Sequence, residues 1–271
     1  MKSYDDDRLY LEAALTLAEQ AGALLREGAL STQPAESKST ASDLVTKYDR
    51  AAEELIVSGL QARFPRHRIL GEEGGDRGGE AGQPRWIVDP LDGTTNFAHG
   101  IPMFTVSIGC EVDGELAVGV VLAPAMGLTF AARRGQGTTR NGQAVRVSKV
   151  ATLDRALLVT GFPYDRHTAV ENNFAQFVAL KKRAQGIRRT GSAALDLALV
   201  ASGGFDGYWE MKLKPWDIAA GILLVQEAGG VVTSWRGERV SLQQGEVLAS
   251  NGLLHEQVRQ VLGQTQHNVF A

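Results

Sequence analysis

The stretch Trp86-Ile87-Val88-Asp89-Pro90-Leu91-Asp92-Gly93-Thr94-Thr95-Asn96-Phe97 constrains this chain more than any other. Trp86 to Val88 is a short apolar run of the kind that forms a buried strand. Two carboxylates three residues apart follow it, and then Gly-Thr-Thr. Acids delivered side by side by a buried strand repel one another unless a cation stands between them. Their hard oxygens suit Mg²⁺ or Mn²⁺ rather than zinc. Gly93 lets the backbone come close to an anion, and amides at a following helix start can point at a phosphate. Carboxylates for metal beside donors for phosphate suggest phosphoester chemistry.

The surrounding pattern is that of a layered α/β (α+β) protein. Apolar residues recur through Leu9–Leu25 at helical spacing, and a second helix is expected from about Leu44 to Arg63, stopped by Pro65. Arg68–Gly71 reads as a strand and the glycine-rich Gly71–Gly82 as a mobile loop. Strands follow at Phe104–Val112, Leu116–Leu122 and Leu128–Ala132, with Asp113-Gly114 marking a hairpin. From Thr152 strands alternate with helices. The expected helices are Ala169–Arg183, Ser192–Ala201, Trp216–Ala228 and Leu253–Leu262. The expected strands are Ala156–Thr160, Ile187–Arg189, Phe205–Glu210, Val231–Thr233 and Val247–Ser250. With 271 residues, 44% of them hydrophobic, the chain can bury a large core. It is expected to be one domain, 1–271, with closely packed halves at 1–150 and 151–271.

Composition narrows the class further. A net charge of −3 supplies no field favouring nucleic acid or an anionic membrane. The single cysteine, Cys110, sits in an apolar run and reads as a small core residue. One cysteine cannot form an internal disulfide, which fits a reducing, cytoplasmic setting. Met1 to Tyr10 is acidic and polar, unlike a signal peptide, and no apolar run approaches a membrane span. None of the five histidines pairs with another at zinc-ligand spacing, and no Ser-His-Asp or Cys-centred nucleophile motif is evident.

Carboxylates recur at the expected junctions. Asp43 and Asp49 flank Leu44-Val45-Thr46, Glu72 and Glu73 follow Gly71, and Asp217 follows Pro215-Trp216. Taken singly, Asp43 and Asp217 read equally as helix-capping residues. Glu210 reads equally as a surface acid at a strand end, and Gly191-Ser192 as a helix N-cap. Arg188 and Arg189 either steer an anion, make subunit contacts or are simply solvated.

Together these segments resemble the inositol monophosphatase family. The stretch from Trp86 to Phe97 and Trp216-Asp217-Ile218-Ala219-Ala220-Gly221 are similar to its two signatures. Gly71-Glu72-Glu73 and Asp43-Leu44-Val45-Thr46-Lys47-Tyr48-Asp49 match two further motifs, in the same order. The resemblance implies a layered α-β-α-β-α sandwich of the inositol monophosphatase and fructose bisphosphatase type. It also implies Mg²⁺-dependent hydrolysis of a phosphate monoester, with two or three ions and Mn²⁺ as a substitute.

The family's roles then fall on positions of this chain. Glu72, Asp89 and the Leu91 carbonyl resemble the ligands of a first ion; Asp89, Asp92 and Asp217 resemble those of a second. Such ions stand about 3.5–4 Å apart, one activating water and the other holding the leaving oxygen. Glu72 and Thr94 would share the attacking water, and Asp49 would orient the Thr94 hydroxyl. Amides of Gly93, Thr94 and Thr95 would receive the phosphate. Asp92, Ser192, Ala193 and Glu210 would contact the substrate. Lys38 lies where the family carries a lysine on a mobile loop, and it reads equally as a solvated lysine.

Relatives that cleave 3′-phosphoadenosine 5′-phosphate typically carry Lys at the position of Thr95 and an acid at that of Asn96. This difference favours a polyol phosphate such as inositol 1-phosphate. Fructose 1,6-bisphosphate and histidinol phosphate remain alternatives. The resemblance also implies a homodimer, sensitivity to Li⁺ and, for some bacterial relatives, a partner in the transcription machinery; Arg188–Asp196 has a bacterial look.

Overall fold

The computed structural model describes residues 4–29, 35–37 and 44–265. Lys38 and Asp43 lie outside the described residues. Helix α1 (Tyr4–Gly28) buries Ala14, Leu17, Ala18, Ala21 and Leu25 on one stripe, the spacing a helix needs to face a core. The short strands β1 (Glu36–Ser37) and β2 (Leu44–Val45) pair ahead of α2 (Lys47–Arg63). A capping box opens α2: the Thr46 hydroxyl accepts from the Tyr48 amide, and Asp49 accepts from the Thr46 amide.

The next strands are β3 (Arg68–Gly71), β4 (Gly75–Asp76) and β5 (Arg85–Asp92), leading into the short helix α3 (Thr94–Ala98). After it come β6 (Thr105–Val112), β7 (Glu115–Ala123), β8 (Leu128–Arg133), β9 (Thr138–Arg140) and β10 (Gln143–Val145). These form one sheet in the order β10-β9-β8-β7-β6-β5-β3-β4, antiparallel except where β5 runs parallel to β3. The Asp113-Gly114 hairpin joins β6 to β7 as expected. Asn141-Gly142 joins β9 to β10 by the same turn chemistry, a signal the sequence reading passed over.

The second sheet contains β11 (Leu157–Thr160), β12 (Gly186–Arg188), β13 (Gly207–Glu210), β14 (Val231–Thr233) and β15 (Val247–Ser250), in the order β12-β11-β13-β15-β14. Its helices are α4 (Phe174–Lys181), α5 (Ala193–Ala201), α6 (Pro215–Glu227) and α7 (His255–Gln264). Helices α1 and α2 cover one face of the large sheet, and α5 and α6 lie between the two sheets. Helix α7 packs on β15 and against α4, beyond the smaller sheet. The layers therefore run α-β-α-β-α.

Three apolar clusters fill the spaces between layers. One joins α1 and α2 to the large sheet, a second surrounds α5 and α6, and a third lies under α7. The central helices are hydrophobic nearly all round, as helices buried on two sides must be. Cys110 is buried in the first cluster. His67 accepts a hydrogen bond from the Trp86 indole, and His255 lies between Thr233 and Ser250, so both are structural.

Three expectations need correction. Helix α2 begins at Lys47 rather than about Leu44, because Leu44-Val45 pairs with Glu36-Ser37 as a strand and Thr46 caps the helix. Helix α4 begins at Phe174 rather than Ala169. Asn173 stands in a left-handed conformation, φ 71°, and its buried side chain donates to Thr160 Oγ1 and the Gly161 carbonyl while accepting from the Trp209 indole. That network holds the preceding residues out of the helix. The glycine-rich segment is not loop throughout, because Gly75-Asp76 pairs with Leu70 and Gly71 as an edge strand. No helix among the described residues is long and apolar enough to cross a membrane.

Candidate active site

Strand β5 is the spine of the site. Asp89 pairs with Ser107 and Asp92 with Thr105, so β5 carries one residue more than β6 over this interval. The bulge falls at Pro90-Leu91, where proline has no amide to give the ladder. It also reverses the alternation of side chains: residues three apart in a regular strand face opposite sides, whereas Asp89 and Asp92 stand near enough for one charge to act on the other. Asp89 is 2% exposed, and its Oδ1 accepts from the Leu91 amide at 3.0 Å.

Beyond β5 the chain turns through Gly93 in a left-handed conformation, φ 95°. A Cβ there would stand 2.9 Å from the Met103 carbonyl, so conformation and space both demand glycine. Thr94 then opens α3. Its hydroxyl lies 3.0 Å from Asp49 Oδ1 and 3.0 Å from the Leu91 carbonyl. With one proton it serves one acceptor at a time. Asp49 is fully buried on α2, and its other oxygen takes the Thr46 amide and hydroxyl.

The remaining acids arrive from other segments. Glu72 follows β3; its amide donates to the Val88 carbonyl, and its charge is among those that raise Asp89. Asp92 Oδ2 accepts from the Ser192 hydroxyl at 2.6 Å and the Ala194 amide at 2.8 Å, at the start of α5. Asp217 Oδ2 accepts from the Lys214 amide at 2.7 Å, at the start of α6. The capping reading of Asp217 is thus correct for that oxygen, and the Ser192 N-cap is also present.

A cleft of about 90 Å³ opens over Asp92 and Asp217, with Ser192, Ala193, Glu210 and Arg189 in its walls. The Tyr208 hydroxyl donates to Glu210 Oε2 at 2.8 Å, and Thr190 donates to Asp196. Asn96 ties this wall to the turn that follows Gly93, donating to the carbonyls of Met103 and Thr190.

Burial and mutual repulsion raise these acids. Asp89 is lifted well above the usual carboxylate range, first by burial and then by Glu72, Asp92 and Asp217. Asp217 is likewise lifted by burial and by the Asp92 charge. Asp92 is raised by burial against the pull of its Ser192 and Ala194 hydrogen bonds. Burial carries Glu210 to about 7 despite Tyr208 and Arg189. Asp49 is raised by burial.

This set suits a divalent cation in its chemistry without being closed around one. The donors are carboxylates and a backbone carbonyl, hard oxygens whose shared charge asks for a cation. Yet among the described residues no three Asp, Glu, His or Cys side chains stand close enough, as placed, to hold an ion. Oxygens of Asp89, Asp92 and Asp217 are instead turned to amides and a hydroxyl.

Sequence reasoning passed over Glu53 and Asp196, both almost fully buried. Each stands in an apolar helical face, Glu53 among Ala52, Ile56, Val57 and Leu60, and Asp196 within Ala193–Ala201. A lone acid in register with a buried stripe was the available signal.

Comparison with known proteins agrees with this architecture. Residues 6–267 match the model of the inositol monophosphatase family. The chain is 44% identical over 263 residues to an inositol-1-monophosphatase of Synechocystis sp., covering 97% of this chain and 92% of that protein. It is 45% identical over 250 residues to the Nus factor SuhB of Pseudomonas aeruginosa, covering 89% and 91%. The solved inositol monophosphatase of Anabaena (Nostoc) sp. PCC 7120 superimposes with a TM-score of 0.88 at 41% identity, covering 95% of this chain and 96% of that one. This chain belongs to the inositol monophosphatase family, whose members are metal-dependent phosphatases.

Proposed function

We propose that the protein is a Mg²⁺-dependent phosphatase that releases phosphate from a small polyol monophosphate, with inositol 1-phosphate as its preferred substrate. The observation that carries this reading is the convergence of acids from separate segments: Asp92 and Asp217 line the cleft, and buried Asp89 lies near enough to Glu72, Asp92 and Asp217 for their charges to raise it. Glu72, Asp89 and the Leu91 carbonyl would hold one ion, and Asp89, Asp92 and Asp217 another. When bound, such ions neutralise phosphate charge and lower the pKa of water.

The chain's own groups do the rest. Donation of the Thr94 proton to Asp49 turns the hydroxyl's lone pairs outward, so Thr94 accepts a hydrogen bond from the attacking water while Glu72 holds its other side. Backbone amides of Gly93, Thr94 and Thr95 take the phosphate oxygens, with Gly93 setting their direction. Ser192 and Ala193 shape the cleft opposite, and Glu210 accepts from a ring hydroxyl. Cys110, buried in the core, offers no competing nucleophile.

A phosphate-release screen with and without divalent ion tests this. Inositol 1-phosphate should rank above fructose 1,6-bisphosphate, histidinol phosphate and 3′-phosphoadenosine 5′-phosphate, and chelation should stop all release. A different leading substrate would replace the polyol assignment; turnover unaffected by chelation would end the metal-based one. The same reading makes the protein a Li⁺-sensitive cytoplasmic homodimer, testable by inhibition kinetics and light scattering.

The likeness to a protein named Nus factor SuhB favours a second reading, a protein–protein role in transcription. Arg188 and Arg189 are exposed beside the cleft and would meet such a partner. Retention of transcription proteins by the inactive Asp89→Asn variant in a pull-down would support it, and retention of none would remove it.

A further inference from the structure

Helix α2 carries two buried carboxylates one turn apart, and only one of them is explained by the roles above. Asp49 points to Thr94. Glu53, 1% exposed, spends its two oxygens on a turn of another element: Oε2 accepts from the Glu73 amide at 2.7 Å, and Oε1 from the Gly74 amide at 2.7 Å. Arg77, across the same turn, adds a hydrogen bond to Oε1 at 3.3 Å. Both amides lie immediately after Glu72, in the turn that joins β3 to β4.

The approach is close. A Cβ on Gly71 would stand 2.6 Å from Glu53 Oε2, so glycine at 71 is what admits the carboxylate under the turn. On its other side, the Glu72 amide is pinned to the Val88 carbonyl of β5. Glu72 is therefore clamped from behind by β5 and from the front by α2. A surface turn of this length needs no buried acid for its own sake. Two charge-assisted hydrogen bonds from backbone amides to one carboxylate fix that backbone far more firmly than water would.

We infer that Glu53 is a positioning residue that sets Glu72 against Asp89, so that α2 holds both Thr94 and Glu72 through Asp49 and Glu53. This rests on the reading of Glu72 as a metal ligand. Groups that orient a ligand typically change metal affinity by 10- to 100-fold when removed.

The test is Mg²⁺ and Mn²⁺ binding to the full-length protein by calorimetry, without substrate, together with amide exchange at Glu73 and Gly74. Glu53→Gln sets an amide group against two amide donors, and should weaken metal binding at least tenfold and speed exchange at both amides. Glu53→Asp keeps the charge on a shorter arm and should fall between; it is the variant to read should Glu53→Gln not fold. In a Glu72→Gln background, Glu53→Gln should add little further loss. Metal affinity within twofold of the parent, or a full additive loss in the Glu72→Gln background, would make Glu53 merely structural. Unchanged metal affinity in Glu72→Gln alone would overturn the ligand reading of Glu72, and this inference with it.

Discussion

The end of β5 and the N-termini of α5 and α6 face each other across one cleft, and they hold their carboxylates by different means. At the β5 end, Asp89 has one amide donor of its own chain and three acids as neighbours, and it is lifted far from its ordinary range. At the helix ends, Asp92 is met by a hydroxyl and an amide at the start of α5, and Asp217 by the Lys214 amide before α6. Helix starts present free amides and a positive dipole end, so they fasten an acid in place. The strand end presents Asp89 with the Leu91 amide alone. Burial still raises Asp92 and Asp217, so all three acids lack counter-charge, but the helix ends fix theirs with donors from separate segments while Asp89 has only the amide two residues along its own strand.

The sharpest way to break that contrast is Asp89→Asn. Turnover should fall about 10³-fold, the upper range for loss of one preorganised electrostatic group. Without metal, the same change should raise the melting temperature by about 2–4 °C, what ~1 kcal/mol gives a chain of this size, because a repelled buried charge is gone. Phosphate release and metal-free melting check the two halves of the claim. Near-normal activity at saturating Mg²⁺ would show that the β5 end does not carry the cation.

Thr94→Ala comes next. It should lower kcat by about 10²-fold, at the low end for a lost proton-handling group, with KM little changed because the backbone amides remain. A large rise in KM at constant kcat would make Thr94 a binding residue. Glu210→Gln should reduce kcat/KM for inositol 1-phosphate about 10- to 150-fold, the equivalent of a hydrogen bond to a charged group, and leave p-nitrophenyl phosphate nearly untouched. Equal losses on both substrates would move Glu210 from substrate recognition to support of the acids.

Ser192→Ala probes the helix side. It removes an N-cap and a donor to Asp92 together. Loss of a cap costs about 1 kcal/mol, so melting should drop by about 2–4 °C in the metal-free protein, opposite in sign to Asp89→Asn. A rise instead would mean that Asp92 is as uncompensated as Asp89.

The smallest expected effect is on pH. Glu210 titrates near 4.5 when unfolded and at about 7 in the fold. Between those values the native state binds the extra proton, so the stability contributed by protonated Glu210 is full below about 4.5 and is lost as pH rises through about 7. Asp89 and Asp217, also raised, act in the same direction. Melting of the metal-free protein should therefore fall from pH 5 to pH 7.5, more shallowly in Glu210→Gln and with saturating Mg²⁺. A flat or rising profile in the metal-free parent would show that these acids are compensated in the fold.

Much of this was legible locally. Asp89, Asp92, Gly93 and Thr94 lie in one short stretch, so short-range spacing announces them. The apolar stripes of α1 and α2 and the Asp113-Gly114 hairpin were readable for the same reason. Helix α4 was overcalled because the Asn173 network that delays it depends on Trp209, 36 residues away. Glu53 was missed because its partners lie 20 and 21 residues on, across a turn.

The sequence by itself determined which residue types could meet a cation and a phosphate, and the family resemblance said where to expect them. Only the tertiary structure decided how each charge is held. The Ser192 hydroxyl reaches Asp92 from 100 residues away, and the Ala194 amide from 102. Spacing along a chain reports on groups joined by one turn of helix or one strand pair. Compensation of a buried charge depends on which donors the packing of separate layers brings within hydrogen-bond reach, and no local pattern encodes that.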